Sequence, residues 1–198
     1  MEIRTLLGVL SALFIAIGTF PYLIDIHNKK VNPHILSWVG WGFITALGAF
    51  AMLASGSEWV VAVLLANTFF CFLIVVYSIF KKVGVWLTTK FDYIFFGLGL
   101  LGLILWQYFN MPILAIVCAI LADFFFGLPT LVKTFNDPKT ETYFLWLTSG
   151  IADLLSLLSA KSFSFSELAF SSYLFLFETI MLLIITGVIS KKSIVENI

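Results

Sequence analysis

Two stretches of the chain share one organisation: GTFPYLIDIHNKKVNPHILSWVGWG at residues 18–42 and GLPTLVKTFNDPKTETYFLWLTSG at residues 127–150. In each, an apolar segment contains a proline, a short polar loop with lysine follows, and a second apolar segment holds a tryptophan. The proline and the tryptophan are 17 residues apart in both stretches. Because proline weakens a helix and a polar loop ends one, the pattern predicts a pair of helices joined by a loop, twice.

The composition is that of an integral membrane protein. Of the 198 residues, 61% are hydrophobic and 11% are charged, whereas soluble domains are about 45–50% apolar and about 25% charged. The mean hydropathy is +1.08. The 11 basic and 11 acidic residues cancel, so no basic field indicates a nucleic-acid partner. Cys71 and Cys118 lie in apolar segments, where cysteine acts as a small hydrophobic residue.

Seven apolar segments are long enough to cross a bilayer, since a hydrocarbon core about 30 Å thick needs roughly 20 residues of helix. They are residues 5–26, 35–54, 58–80, 91–108, 112–134, 142–159 and 167–189. Capping-box patterns, Ser55 to Glu58 and Ser164 to Glu167, predict where the third and seventh helices begin. We therefore expect an all-α integral membrane protein with seven transmembrane helices.

The basic residues predict the orientation of these helices. Seven spans put the two ends of the chain on opposite sides of the membrane. One side holds two basic residues, Arg4 and Lys161, and the other holds nine: Lys29, Lys30, Lys81, Lys82, Lys90, Lys133, Lys139, Lys191 and Lys192. The positive-inside rule then predicts an N-terminus outside the cell and a C-terminus in the cytosol.

The two stretches indicate an internal repeat. Pro21 and Pro129 are 108 positions apart, and Trp38 and Trp146 have the same offset. Helices 1–3 are therefore predicted to recur as helices 5–7, with helix 4 as a linker that makes the two copies parallel. The expected 3+1+3 organisation is a first three-helix repeat at 1–82, a linker helix at 83–110 and a second repeat at 111–198.

This architecture resembles the SWEET and PQ-loop (MtN3-type) superfamily of seven-helix membrane transporters, nearest to its bacterial members. The family's Pro-Gln pair is matched by Pro21-Tyr22 and Pro129-Thr130, so the prolines carry over and the glutamines do not. The resemblance implies that both prolines are hinges of a cytosolic gate, in a protein of the bacterial inner (plasma) membrane. From the residues alone, each proline could equally loosen only the last helical turn before a loop.

Four polar residues fall near the middle of their predicted spans: Asn67 in the third, Asp123 in the fifth, Asp153 in the sixth and Glu178 in the seventh. An ionised carboxylate at the bilayer centre costs roughly 2.5–3.5 kcal/mol on insertion scales, and no lysine or arginine lies at a similar depth. The acids must therefore be protonated, face water, share protons or meet a cation. The alternative is a protonated acid that only hydrogen-bonds a neighbouring helix.

Aromatic and small residues follow one face of two spans. Trp38 and Trp41 share a face of the second span, and Trp146 and Ser149 share a face of the sixth with Asp153. The tryptophans fit an aromatic belt at the membrane interface, and the stripes fit either close helix packing or the wall of a cavity. We treat the four tryptophan and serine residues as substrate-binding candidates with the four mid-membrane residues.

These patterns predict a carrier for a small polar or cationic metabolite, with protons as a candidate coupling ion and rocking of two three-helix bundles as the mechanism. Sugar-transporting SWEETs use a pair of asparagines, one in the third helix and one in the seventh. The resemblance implies that Asn67 corresponds to the first asparagine, whereas Glu178 lies near the position of the second. The alternatives are a SWEET-type sugar uniporter and a SWEET-like receptor or sensor that transports nothing. We expect no enzyme activity, cofactor or metal site, and oligomers remain open.

Overall fold

The computed structural model describes residues 3–54, 60–86, 89–108, 112–160 and 163–190. Within these ranges the protein is all-helical, with seven α-helices and one short 3-10 helix. They are α1 (Ile3–His27), α2 (Ile35–Ala54), α3 (Val60–Lys81), α4 (Lys90–Tyr108), α5 (Pro112–Asn136), the 3-10 helix (Pro138–Thr140), α6 (Tyr143–Leu158) and α7 (Phe165–Ile185). Each helix coincides with a predicted apolar segment to within a few residues.

Four helical segments are long and apolar enough to cross a membrane. They are Ile3–His27, Leu64–Lys81, Ile116–Asn136 and Leu168–Ile185. Ile35–Ala49 and Tyr143–Leu158 are apolar but shorter. Ser164 occupies the N-cap of α7, as predicted. Three features of the sequence lie outside the described residues. They are the first capping box, the boundary between residues 110 and 111, and the lysines Lys161, Lys191 and Lys192 that were used to predict the orientation.

Six helices pack side by side as a closed ring in the order α1, α3, α2, α5, α7, α6. Helix α3 lies between α1 and α2, and α7 lies between α5 and α6. The ring closes through contacts of α1 with α6 and of α2 with α5. Helix α4 packs outside it, mainly against α5 and to a smaller extent against α2. The interior of the ring is therefore bounded by every helix except α4.

Small residues allow α1 and α6 to pack closely. A Cβ atom on Gly18 would overlap the Thr148 hydroxyl, so the two backbones approach at this point more closely than any larger residue permits. About two turns from Gly18 along α1, Ser11 Oγ donates to the Ala152 carbonyl across the same interface, at 2.9 Å. This contact closes one of the two junctions of the ring.

The loops after α1, α3 and α5 meet at one end of the ring, which we call the three-loop face (residues 28–34, 82–86 and 137–142). Asn32 joins them: its Oδ1 accepts from Gly84 N at 2.7 Å, and its N–H donates to the Thr140 carbonyl at 2.9 Å. Gly84 has a φ of +115°, which favours glycine. The three loops are thus fixed to one another.

The two prolines that are 108 positions apart lie inside continuous helices. Pro21 is within α1 and Pro129 is within α5, and both helices continue for more than a turn beyond the proline before they reach the three-loop face. Each proline removes one backbone hydrogen bond within its helix. Both therefore lie at equivalent heights, a short distance from the loops.

Candidate functional site

The interior of the six-helix ring contains a cavity of about 180 Å³. Residues of α1, α2, α3, α5, α6 and α7 line it, and no described residue of α4 does. All eight binding candidates from the sequence lie on its wall: Trp38, Trp41, Asn67, Asp123, Trp146, Ser149, Asp153 and Glu178. The ring thus brings together side chains that are far apart in the sequence.

Three carboxyl groups from three helices face this cavity. Asp123 is buried and accepts a hydrogen bond from the Tyr173 hydroxyl at 2.9 Å. Glu178 Oε2 is buried without a hydrogen-bond partner, and Asp153 lies close enough to interact with both other acids. No lysine, arginine or histidine is among the described residues that line the cavity. The wall therefore carries acidic groups and no fixed positive charge.

Uncharged polar groups complete the wall. Asn67 contributes its amide, and Ser156 and Ser171 form a hydroxyl pair at 3.1 Å. Neither serine was predicted from the sequence, although the spacing of Ser156 from Ser149 was a signal for the first of them. Ser156 lies seven residues after the predicted Ser149, on the same face of α6. Tyr173, which bonds Asp123, had no such signal because the two residues belong to different helices.

An aromatic layer separates the cavity from the three-loop face. Trp41 is at its centre, with ring centroids 5.1 Å from Trp38, 6.2 Å from Trp146 and 6.1 Å from Phe177. These four rings line the cavity. Tyr22 packs behind them against Trp38, at 5.6 Å. Aromatic pairs of this geometry favour one fixed arrangement, so the layer forms the wall of the cavity on this side.

A buried carboxylate lies behind the aromatic layer. Glu141 pairs with Lys133, and its Oε2 accepts from the Tyr22 hydroxyl at 2.9 Å and from Trp146 Nε1 at 3.3 Å. Lys133 Nζ also donates to the Asn32 carbonyl at 2.6 Å. We call these five residues the Glu141 cluster. In the sequence, Lys133 served only to predict the orientation, and Glu141 was not singled out. The pair forms because the chain turns back through the short 3-10 helix between them.

The two prolines lie next to this cluster rather than in the cavity. Neither is among the described residues of the cavity wall. Pro21 directly precedes Tyr22, which bonds Glu141. Pro129 directly precedes Thr130, which is fully buried and whose hydroxyl has no partner. A change of angle at Pro21 would therefore move Tyr22 and its bond to Glu141, and a change at Pro129 would move the buried Thr130.

One histidine of the three-loop face is also buried. His34 Nδ1 lies 3.1 Å from Ser37 Oγ, and Nε2 has no partner. Burial lowers the pKa of His34 to about 4; Asp92 opposes the shift and Lys133 adds to it. His34 is therefore neutral at physiological pH. Among the described residues, no group of three or more His, Cys, Asp or Glu side chains could hold a metal ion.

The chain was compared with known proteins in three ways. No family model, no curated protein and no solved structure matches it. Its function is therefore inferred from the cavity and from the residues around it.

Proposed function

We propose that this protein is a membrane carrier for a small polar or cationic metabolite, with protons as the candidate coupling ion. The observation that carries the proposal is a cavity walled by six helices in which three carboxyl groups converge and no described lining residue is basic. An ionised carboxyl group near the middle of a membrane-spanning helix costs free energy, and in membrane proteins such groups mark pathways for ions and substrates.

The remainder of the wall favours a cation as ligand. Trp38, Trp41, Trp146 and Phe177 present aromatic rings to the same cavity as the acids. Aromatic faces attract cations, and the attraction grows when the site is desolvated. A small ammonium compound would satisfy the acids electrostatically and contact the rings, and protons could take its place at the carboxyls when the site is empty.

The proposed mechanism is rocking of two parallel three-helix bundles, at 1–82 and 111–198, joined by a linker helix at 83–110. It is supported by the matching order of contacts in the two halves, where the third helix of each lies between the other two. It is also supported by the Glu141 cluster, in which Tyr22 and Asn32 of one half bond residues of the other half.

The prolines are the proposed hinges, and the three-loop face is the proposed cytosolic gate. Pro21 directly precedes Tyr22 of the Glu141 cluster, and Pro129 lies one turn before Lys133 of the same cluster, as a hinge beside that gate requires. The lysines on the three-loop face support a cytosolic location for it, in a bacterial inner membrane. We propose on the same grounds that the protein belongs to the SWEET and PQ-loop superfamily.

Sugar uniport is the second candidate, and a specific observation favours it. Asn67 lines the cavity together with the hydroxyls of Ser149, Ser156 and Ser171, and such groups hydrogen-bond neutral sugars as well as cations. A cavity with this wall would not need its carboxyls ionised in order to hold a sugar.

Uptake into proteoliposomes distinguishes these functions. A panel of polyamines, cationic amino acids and sugars is first screened for solutes that raise the melting temperature of the purified protein. The solutes that do so are then tested as substrates. The carrier proposal predicts uptake of a cationic solute that depends on a pH gradient and is lost in Asp153→Asn. Asp137→Asn, an exposed loop acid, is the matched control.

Three results would overturn the carrier proposal. Uptake of a sugar that survives simultaneous neutralisation of Asp123, Asp153 and Glu178 would establish the uniporter instead. Saturable binding without uptake would establish a receptor. Equal loss of uptake in Asp153→Asn and Asp137→Asn would remove the cavity acids from the pathway.

A further inference from the structure

The three-loop face carries a second recess, separate from the central cavity. It has a volume of about 290 Å³, and four lysines converge on it: Lys29, Lys30, Lys82 and Lys139. They come from the loops after α1 and α3 and from the short helix after α5. Asn32 and Thr140 form its floor. We call this the basic recess.

No acid among the described residues neutralises the positive charge of the basic recess. All four lysines are exposed, and none forms an ion pair with any described aspartate or glutamate. No described acid lines the recess. Four ammonium groups around one space repel one another, and the repulsion favours an anion bound among them.

The recess is held open by a fixed framework. Asn32, in its floor, bonds Gly84 of the second loop and Thr140 of the third. Lys29 and Lys82 both adopt a positive φ, of 56° and 55°, which is uncommon for residues other than glycine, asparagine and aspartate. The lysine backbones are therefore fixed beside the recess by the loops that the floor joins.

Common reasons for surface lysines do not account for this arrangement. Lysines near helix C-termini interact favourably with the helix dipole, and lysines in cytosolic loops follow the positive-inside rule. Both effects explain one or two lysines per loop, but they act on each loop separately. Neither requires that lysines from three loops face one recess that lacks any described acid.

We propose that the basic recess binds a phosphate-bearing anion, either the headgroup of an anionic lipid or a soluble phosphate compound. Phosphate oxygens accept charge-assisted hydrogen bonds from several ammonium groups at once, and basic pockets at the ends of membrane helices bind lipid headgroups in this way. Lys29, Lys30 and Lys82 precede α4 in the chain and Lys139 follows α5, so one anion would tie these loops together and favour the closed three-loop face.

Two probes test the proposal on the full chain purified in detergent. Inorganic pyrophosphate represents the soluble source, measured by calorimetric titration. Phosphatidylglycerol represents the lipid source, measured against phosphatidylcholine by retention in native mass spectrometry. The test variant is Lys82→Gln with Lys139→Gln. The matched control is Lys81→Gln with Lys90→Gln, which removes the same charge outside the recess.

The expected result is saturable binding of at least one probe, weakened about tenfold in the test variant and by less than about twofold in the control. Binding should also weaken as salt is added. Binding of phosphatidylglycerol alone assigns a lipid site, and binding of pyrophosphate alone assigns a soluble ligand. Absence of saturable binding of both probes, or equal loss in both variants, overturns the proposal.

Discussion

Two glutamates of this protein have buried carboxyl oxygens in opposite circumstances. Glu141, behind the aromatic layer, has an ion pair with Lys133 and hydrogen bonds from Tyr22 and Trp146. Glu178, in the cavity, has an Oε2 atom with no partner, and its charged neighbours are other acids. The comparison separates an acid that the protein has already satisfied from an acid that is left open to a ligand.

The physical difference lies in what compensates desolvation. A carboxylate taken out of water needs an opposite charge and good hydrogen bonds to offset the cost. Glu141 obtains both from within the protein, so its contacts stabilise the closed three-loop face. Glu178 obtains neither from the described residues, so a proton or a cation must supply them. Substitutions at the two positions should therefore affect different properties.

The largest effect is expected where a satisfied charge loses its partner. Lys133→Ala leaves the Glu141 carboxylate buried and unpaired, and breaking a buried ion pair costs about 3–5 kcal/mol. The melting temperature in detergent should fall sharply. Lys90→Ala, at an exposed lysine outside the cluster, is the control and should melt like the wild type. If both variants melt alike, the Glu141 cluster does not hold the loops together.

Glu178→Gln tests the other side of the comparison. The amide cannot pair with a cation, and loss of a charge-assisted contact of about 2 kcal/mol lowers uptake of a cationic solute about 30-fold. The melting temperature should stay the same or rise, because a neutral group replaces a carboxyl that faces other acids. A variant with normal uptake and lower stability would show that Glu178 has a structural role like that of Glu141.

Gly18→Ala tests the close packing of α1 against α6 at the helix junction that bounds the cavity. The added Cβ overlaps the Thr148 side chain of α6, so α1 and α6 must separate. This separation should lower the free energy of unfolding by about 1–3 kcal/mol. Gly8→Ala, on the same helix with nothing within 4 Å of the new atom, should be neutral or slightly stabilising. Thermal unfolding of the two variants measures the difference; equal melting temperatures would contradict the close junction.

The smallest effect separates the pH response of the three-loop face from that of the cavity. The pKa of His34 is about 4 in the folded protein and about 6.5 when unfolded, so the unfolded state binds the proton first. Stability should fall as pH drops from about 6.5 towards 4, by about 1 kcal/mol at pH 5.5. His34→Asn should flatten the dependence of the melting temperature on pH over this window without changing the pH dependence of uptake.

The helices of this protein were predictable from the sequence because each depends on its own residues. Apolar segments of sufficient length must form helices in lipid, where backbone groups find no other partners. The depth of an acid follows from counting along its segment, which is how Asp123, Asp153 and Glu178 became candidates. All of them line the cavity. For the same reason, Ser156 could have been added from its spacing to Ser149.

The pairing of side chains was decided only by the tertiary structure. Tyr22 and Glu141 are 119 residues apart and Tyr173 and Asp123 are 50 apart, and no local pattern relates such positions. Lys133 follows the positive-inside pattern in the sequence, but the turn of the chain through the short 3-10 helix after α5 makes it the partner of Glu141. Which acid is satisfied and which stays open depends on distances between helices, because a charge is compensated only by groups within a few ångströms of it.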